Sequence, residues 1–183
     1  MTNLRRLHHR LRDKIMLLRL AISALTLGLG SFPASAQAEA RNQLVGAWRM
    51  VSATIDPGGR NIPAYGEKPN GLLVFTADMH FIEVLTDGGA PRFASDTRGA
   101  GTDEENRRAM ARSIGFFGTY TVDEEGAFSG NHVDGATFPN WVGSTRTREQ
   151  LTLTVVGDQM TEHFRRPEGT RVQIEWRRAE RGR

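Results

Sequence analysis

No cysteine occurs in the 183 residues, which excludes disulfide staples, a thiolate nucleophile, a cysteine-held metal or cluster and a lipidated cysteine anchor. The core must then rest on apolar burial, and this length supports one ordinary domain. No apolar run approaches the roughly 20 residues that a helix needs to cross a bilayer. Also missing are a Gly-x-Ser-x-Gly elbow, a phosphate loop, a dinucleotide fingerprint and a paired metal-ligand motif. Internal repeats and low-complexity tracts are absent too.

Excess charge is scarce once its location is considered. The whole chain carries a formal +3 and a pI near 9.9, a balance that suggests an acidic partner. Residues 1–38, however, hold Arg5, Arg6, Arg10, Arg12, Lys14 and Arg19 against Asp13 alone, a net +5, so the remainder stands at −2. A slightly acidic domain has no general electrostatic reason to bind nucleic acid.

That basic stretch is followed by the apolar Leu20–Gly30 and then by Ala34-Ser35-Ala36-Gln37-Ala38. Basic, apolar and small-residue regions in this order predict a signal peptide over 1–38, removed near Ala36–Ala40 and best after Ala38, with the domain over 39–183. An exported protein, periplasmic or secreted and without a permanent membrane anchor, is expected. Met16 opens a leader of ordinary proportions and is a candidate start. Arg5-Arg6 suggests a twin-arginine signal, but Leu7-His8-His9 is a poor continuation.

From Gln43 onward, short runs of alternating apolar residues are separated by Gly, Pro, Asn and Asp, the pattern of many antiparallel strands. Strands are expected at Leu44–Ile55, Leu72–Thr76, Phe81–Leu85, Gly118–Val122, Phe128–Val133, Leu151–Val156, Met160–Arg165 and Val172–Arg177. Eight strands suffice for a small barrel. One helix is expected, with Thr102 as N-cap, Glu105 three residues on, and Met110, Ile114 and Phe117 on one face, packed across a barrel end. In the first strand, Trp48 and Met50 share one face and Val51, Ala53 and Ile55 the other.

Gly46-Ala47-Trp48 at the head of the first strand matches the Gly-x-Trp opening of lipocalins. Further along stand Pro63-Ala64-Tyr65-Gly66-Glu67, the segments GLLVFTAD, PRFAS, GTDEE and FFGTYTVDEE, then His132-Val133-Asp134-Gly135 and Phe138-Pro139-Asn140-Trp141-Val142-Gly143. Over almost the whole chain after the leader, this sequence resembles the bacterial and fungal lipocalin-like domain family. The resemblance implies an all-β fold, a small antiparallel lipocalin-like β-barrel of about eight strands with one short helix. It also implies a tryptophan that closes one barrel end, Trp48, under an arginine of the last strand, Arg177 or its neighbour Arg178. An interior suited to a small hydrophobic or amphipathic molecule follows from it, whereas no catalytic set and no cofactor do.

Candidate site residues are few. Phe138 and Trp141, in a Pro/Gly-containing connection, suit a barrel mouth, either stacking on a flat ligand or plugging the end. Tyr65 carries the same two readings. Glu162 lies between Met160 and Phe164 on an apolar face, where a carboxylate is costly unless paired. It is either a structural partner of an arginine or, with a raised pKa, a general acid or base. For an enzyme, Glu162 and His132 would transfer the proton, and Tyr65 or Arg92 would orient a carbonyl or carboxylate. His80, His132 and His163 match a three-histidine metal site in number, but their strand parity scatters them, and no metal is expected. The arginines from Arg165 to Arg183 are interleaved with glutamates and read as a mixed surface, or as a face for an anionic envelope or ligand.

Three functions fit. A binder requires a mainly apolar cavity; a cofactor-free isomerase, cyclase or hydratase requires Glu162 or His132 inside it; a structural or interaction module has its barrel filled by its own side chains.

Overall fold

The computed structural model describes residues 41–166 and 168–180. The expected leader and its cleavage site lie outside the described residues. The elements are β1 (Gly46–Ile55), β2 (Ile62–Pro63), β3 (Pro69–Phe75), β4 (His80–Asp87), α1 (Asp103–Ala111), β5 (Ser113–Val122), β6 (Phe128–Ala136), a 3-10 turn (Pro139–Trp141), β7 (Thr145–Thr147), β8 (Leu151–Val156), β9 (Gln159–Arg165) and β10 (Arg171–Arg178). All eight expected strands are present. The additional two, β2 and β7, are too short for alternation to reveal them.

One antiparallel sheet runs β7-β6-β5-β4-β3-β1-β10-β9-β8, with β2 beside β1. It curls into a nearly closed barrel. The seam falls between β7 and β8, which pair with β6 and β9 respectively and not with each other.

α1 begins as expected. The Thr102 side chain accepts from the Glu105 amide, while Glu105 Oε2 accepts from the Thr102 amide at 2.7 Å, a closed capping box. The helix ends earlier than expected, because Ile114 and Phe117 belong to β5, which pairs with both β4 and β6. The helical spacing of Met110, Ile114 and Phe117 is thus coincidental. No residue of α1 is buried, so it lies against β5 and does not close the barrel.

Two strands change parity midway. Between Met50 and Ser52 the pairing of β1 with β10 shifts by one residue, which turns Val51 out to solvent and brings Ala53 into the core. A bulge flips every later side chain to the opposite face, and this explains why both faces of β1 read as apolar. In β6 the register shifts past Ser129 and again past Asp134. Phe128, Asn131 and Val133 therefore all point inward, while His132 points out.

One barrel end is packed solid. Trp48, Phe75, Phe81, Tyr120, Val133, Met160 and Trp176 are all buried there, with Phe75 edge-on to Tyr120 at 4.8 Å. Trp48 Nε1 donates to the Leu44 carbonyl at 2.7 Å. Arg178, not Arg177, stacks on Trp48, 4.1 Å from the ring centre. Strand alternation leaves Arg177 exposed, so the expectation for Arg177 is corrected in favour of its neighbour. The Arg178 guanidinium also donates to the carbonyls of Val45 and Gln43 at 2.8 and 3.0 Å. Gly46 is required here twice over: its φ of +130° suits glycine, and a Cβ would stand 3.0 Å from Arg178 Nη1.

Candidate functional site

Above this packed end the barrel interior becomes polar. The inward positions of β4 read Phe81, Glu83, Leu85, and those of β9 read Met160, Glu162, Phe164. Both central positions are carboxylates. Glu83, Asn131, Arg146 and Glu162 are the buried polar or charged side chains among the described residues.

Glu162 accepts a hydrogen bond from Trp176 Nε1 at 3.0 Å. Its pKa is pushed up to about 7 because burial outweighs that hydrogen bond and the attraction of Arg146. Glu83 is raised well above the usual carboxylate range, first by burial and then by the charge of Glu162, with Arg146 opposing. Burial lowers the Arg146 pKa, against the attraction of both carboxylates. These groups, with Tyr65, surround a cavity of about 20 Å³, room for about one water.

Arg146 is held by flat faces. Its guanidinium carbon lies 5.1 Å from the Phe116 ring centre, 4.6 Å from Trp141 and 4.8 Å from Phe164. Contacts of this kind contribute about 1 kcal/mol each, more when dry. Trp141 is edge-on to Phe116 at 5.3 Å, to Phe138 at 6.2 Å and to Phe164 at 6.1 Å. The 3-10 turn that carries Trp141 starts at Pro139 and is tied down by Ser144, whose hydroxyl donates to the Trp141 carbonyl at 2.6 Å.

On the outer side of Arg146, Trp141 and Phe164 lies a second cleft of about 330 Å³, completed by Asn140, Ser144, Thr145, Gln150, Arg165 and Arg166. Arg146, Trp141, Phe164 and Arg166 line both spaces. They form the wall between an outer vestibule at the seam and the inner carboxylate chamber. A larger groove of about 500 Å³ adjoins the vestibule through Gln150, Phe164 and Arg165, but it is more open to solvent.

Among the residues singled out from sequence, Tyr65, Trp141 and Glu162 meet at this wall and chamber. Phe138 sits one ring further out, half in solvent, against Trp141. His132 does not join Glu162. The β6 bulge turns it outward, 3.2 Å from the Thr145 hydroxyl and 3.7 Å from Asp134. Arg92 is exposed in the loop before α1 and lines neither space, so the expected orienting role falls away. His80 lies 3.5 Å from Asp78, and His163 is exposed. No cluster of three or more potential metal ligands forms among the described residues.

Glu83 and Arg146 were missed. Glu83 lay in plain alternation between Phe81 and Leu85, the same signal that singled out Glu162. Arg146 lies on a three-residue strand with exposed Thr145 and Thr147 to either side, and no sequence pattern distinguishes it.

Residues 45–179 match the model of the lipocalin-like domain. The chain belongs to that family. A lipocalin-like barrel is a small-molecule-binding fold; in this lipocalin-like protein the chamber between the carboxylates has room for about one water, and the larger space beside it is the outer vestibule. Comparison with curated proteins found no match. Among solved structures, a redesigned beta barrel is similar at 15% identity, covering 79% of this chain and 96% of its own, with a TM-score of 0.40.

Proposed function

We propose that the protein is an exported binder of a small hydrophobic or amphipathic molecule, taken in through the vestibule at the β7–β8 seam. The observation that carries this reading is the shared wall. Trp141, Phe164 and Arg146 separate a 330 Å³ cleft from a chamber whose buried carboxylates face the cavity. A barrel shaped only for stability would fill that position with apolar side chains, since buried charge is costly. The ligand body rests on the two aromatic faces, and its polar end meets the arginines. Export rests on the three-part leader at residues 1–38.

The test is native mass spectrometry of the protein purified from its own host envelope, with extraction of any retained molecule. A stoichiometric small-molecule adduct on a chain that starts at Glu39 is the expected result. A clean mass, together with unchanged Trp141 fluorescence when envelope extracts are titrated in, would overturn binding. A chain that keeps residues 1–38 would overturn export.

Glu83, Glu162 and Tyr65 around one chamber favour a second reading, cofactor-free proton transfer, for which the one-water chamber would have to widen to admit an apolar substrate. Both carboxylates are raised by burial, and the charge of Glu162 raises Glu83 as well, so the pair can hold one proton between an acid and a base. Turnover of the extracted molecule that is lost in both Glu83→Gln and Glu162→Gln would select this reading over simple carriage.

A further inference from the structure

The vestibule is lined by three arginines, four neutral polar side chains and two aromatic faces, and by no aspartate or glutamate. On the described surface some arginines find acids, as Arg107 meets Glu104, Arg112 meets Asp87, Arg171 meets Asp56 and Arg178 meets Asp158, while others, among them Arg49, Arg92, Arg98 and Arg177, pair with none of the described acids. Among the described residues, Arg165 and Arg166 form no ion pair. Arg146 has its carboxylates only on the chamber side.

We infer that the vestibule is a site for a small organic anion with a flat apolar body, its head group held by Arg146, Arg165 and Arg166 and its body by Trp141 and Phe164. This rests on the reading of the vestibule as the binding mouth and names what it takes. Three cations line one concave surface whose own lining carries no acid, and the nearest carboxylates, Glu83 and Glu162, lie behind Arg146 in the chamber, so the face presented to an incoming ligand is positive. Arg146 is already ordered by stacking on Trp141 and Phe164, so its planar donor edge is set for a carboxylate at little further entropic cost. Asn140, Thr145 and Gln150 supply further polar groups around the head, while the Ser144 hydroxyl stays committed to the Trp141 carbonyl. At about 330 Å³ the space is at the small end of ligand pockets, which suits one or two fused rings better than a long chain. An organic cation would meet the arginines first and reach Glu83 and Glu162 only behind Arg146.

The experiment is calorimetric titration of the wild-type protein at physiological ionic strength with three probes that share one body: 2-naphthoate, 2-naphthylmethanol and 2-naphthylmethylamine. The carboxylate is expected to bind about tenfold more tightly than the alcohol, the ammonium probe is expected not to bind, and added salt should weaken only the carboxylate. In the double variant Arg165→Gln/Arg166→Gln, whose side chains are exposed or half-exposed and whose folding a thermal melt verifies, naphthoate affinity should fall severalfold towards that of the alcohol, with Arg146 alone left to hold the head. Equal binding of carboxylate and alcohol in the wild type would overturn the anion assignment while leaving the vestibule a binding site. Preference for the ammonium would overturn it in favour of the buried carboxylates as head-group partners. Unchanged naphthoate affinity in the double variant would overturn the role of Arg165 and Arg166. Failure of all three probes to bind would overturn both this inference and the vestibule as the mouth.

Discussion

At the scale of single residues, the barrel interior is governed by one charge balance. Arg146 faces two carboxylates whose protonated forms are favoured by burial. A carboxyl group whose pKa is higher in the folded than in the unfolded chain binds its proton more tightly when folded, so raising the pH costs stability. For Glu162, with an ordinary value of 4.5 and a folded value of about 7, stability is greatest below about pH 4.5. It falls as pH rises towards 7 and then levels off, and Glu83, shifted in the same direction, adds to the fall. Urea unfolding of wild type at pH 5 and pH 7.5 should show this decline, and Glu162→Gln should flatten it. Arg146→Met should cost about 3 kcal/mol at pH 7.5, where the carboxylates lose their counter-charge, and less at pH 5. Glu162 was visible in the sequence because a carboxylate interrupts an apolar face. Arg146 was not, because its burial depends on Phe116, Trp141 and Phe164, which converge from three distant parts of the chain.

At the scale of elements, alternation revealed the strands and bulges hid their faces. β8 appears in the structure with the bounds its sequence predicts, whereas the ends of β5 and β6 were blurred by glycines and by the neighbouring helix. His132 shows the consequence most clearly. Counted from Phe128 it falls on the inner face, but one extra residue at Ser129 puts it outside. No residue type in Phe128–Val133 announces that extra residue; the pairing partners on β5 decide it. The Gly-x-Trp element, by contrast, was legible and now has a physical account. Gly46 combines a backbone angle that side chains resist with close approach of Arg178. Gly46→Ala should therefore destabilise the fold by about 1–3 kcal/mol, measured as a lower midpoint in chemical denaturation. Arg177→Ala, on the exposed side of the same strand, should shift it by less than about 0.5 kcal/mol.

At the scale of the whole molecule, the two barrel ends differ in kind. One is sealed by Trp48, Trp176 and the Arg178 clamp, and the other carries the site beside an incomplete seam. Stability is not uniform in such a barrel, and opening begins where ladder pairing is thinnest. Hydrogen exchange should find the amides of β7 among the fastest of the sheet and those of β1 and β10, paired on both sides, among the slowest. Ligand binding at the vestibule should slow β7 selectively.

The seam also bears on how quickly a ligand can arrive. In a fully laddered barrel, a molecule entering through the wall must wait for hydrogen-bonded strands to part. Here the vestibule lies at the seam, where β7 and β8 have no bonds to each other to break, so a ligand reaches it from solvent without parting any strands. Arrival is then governed by diffusion and charge, and is independent of how firmly the rest of the barrel is folded.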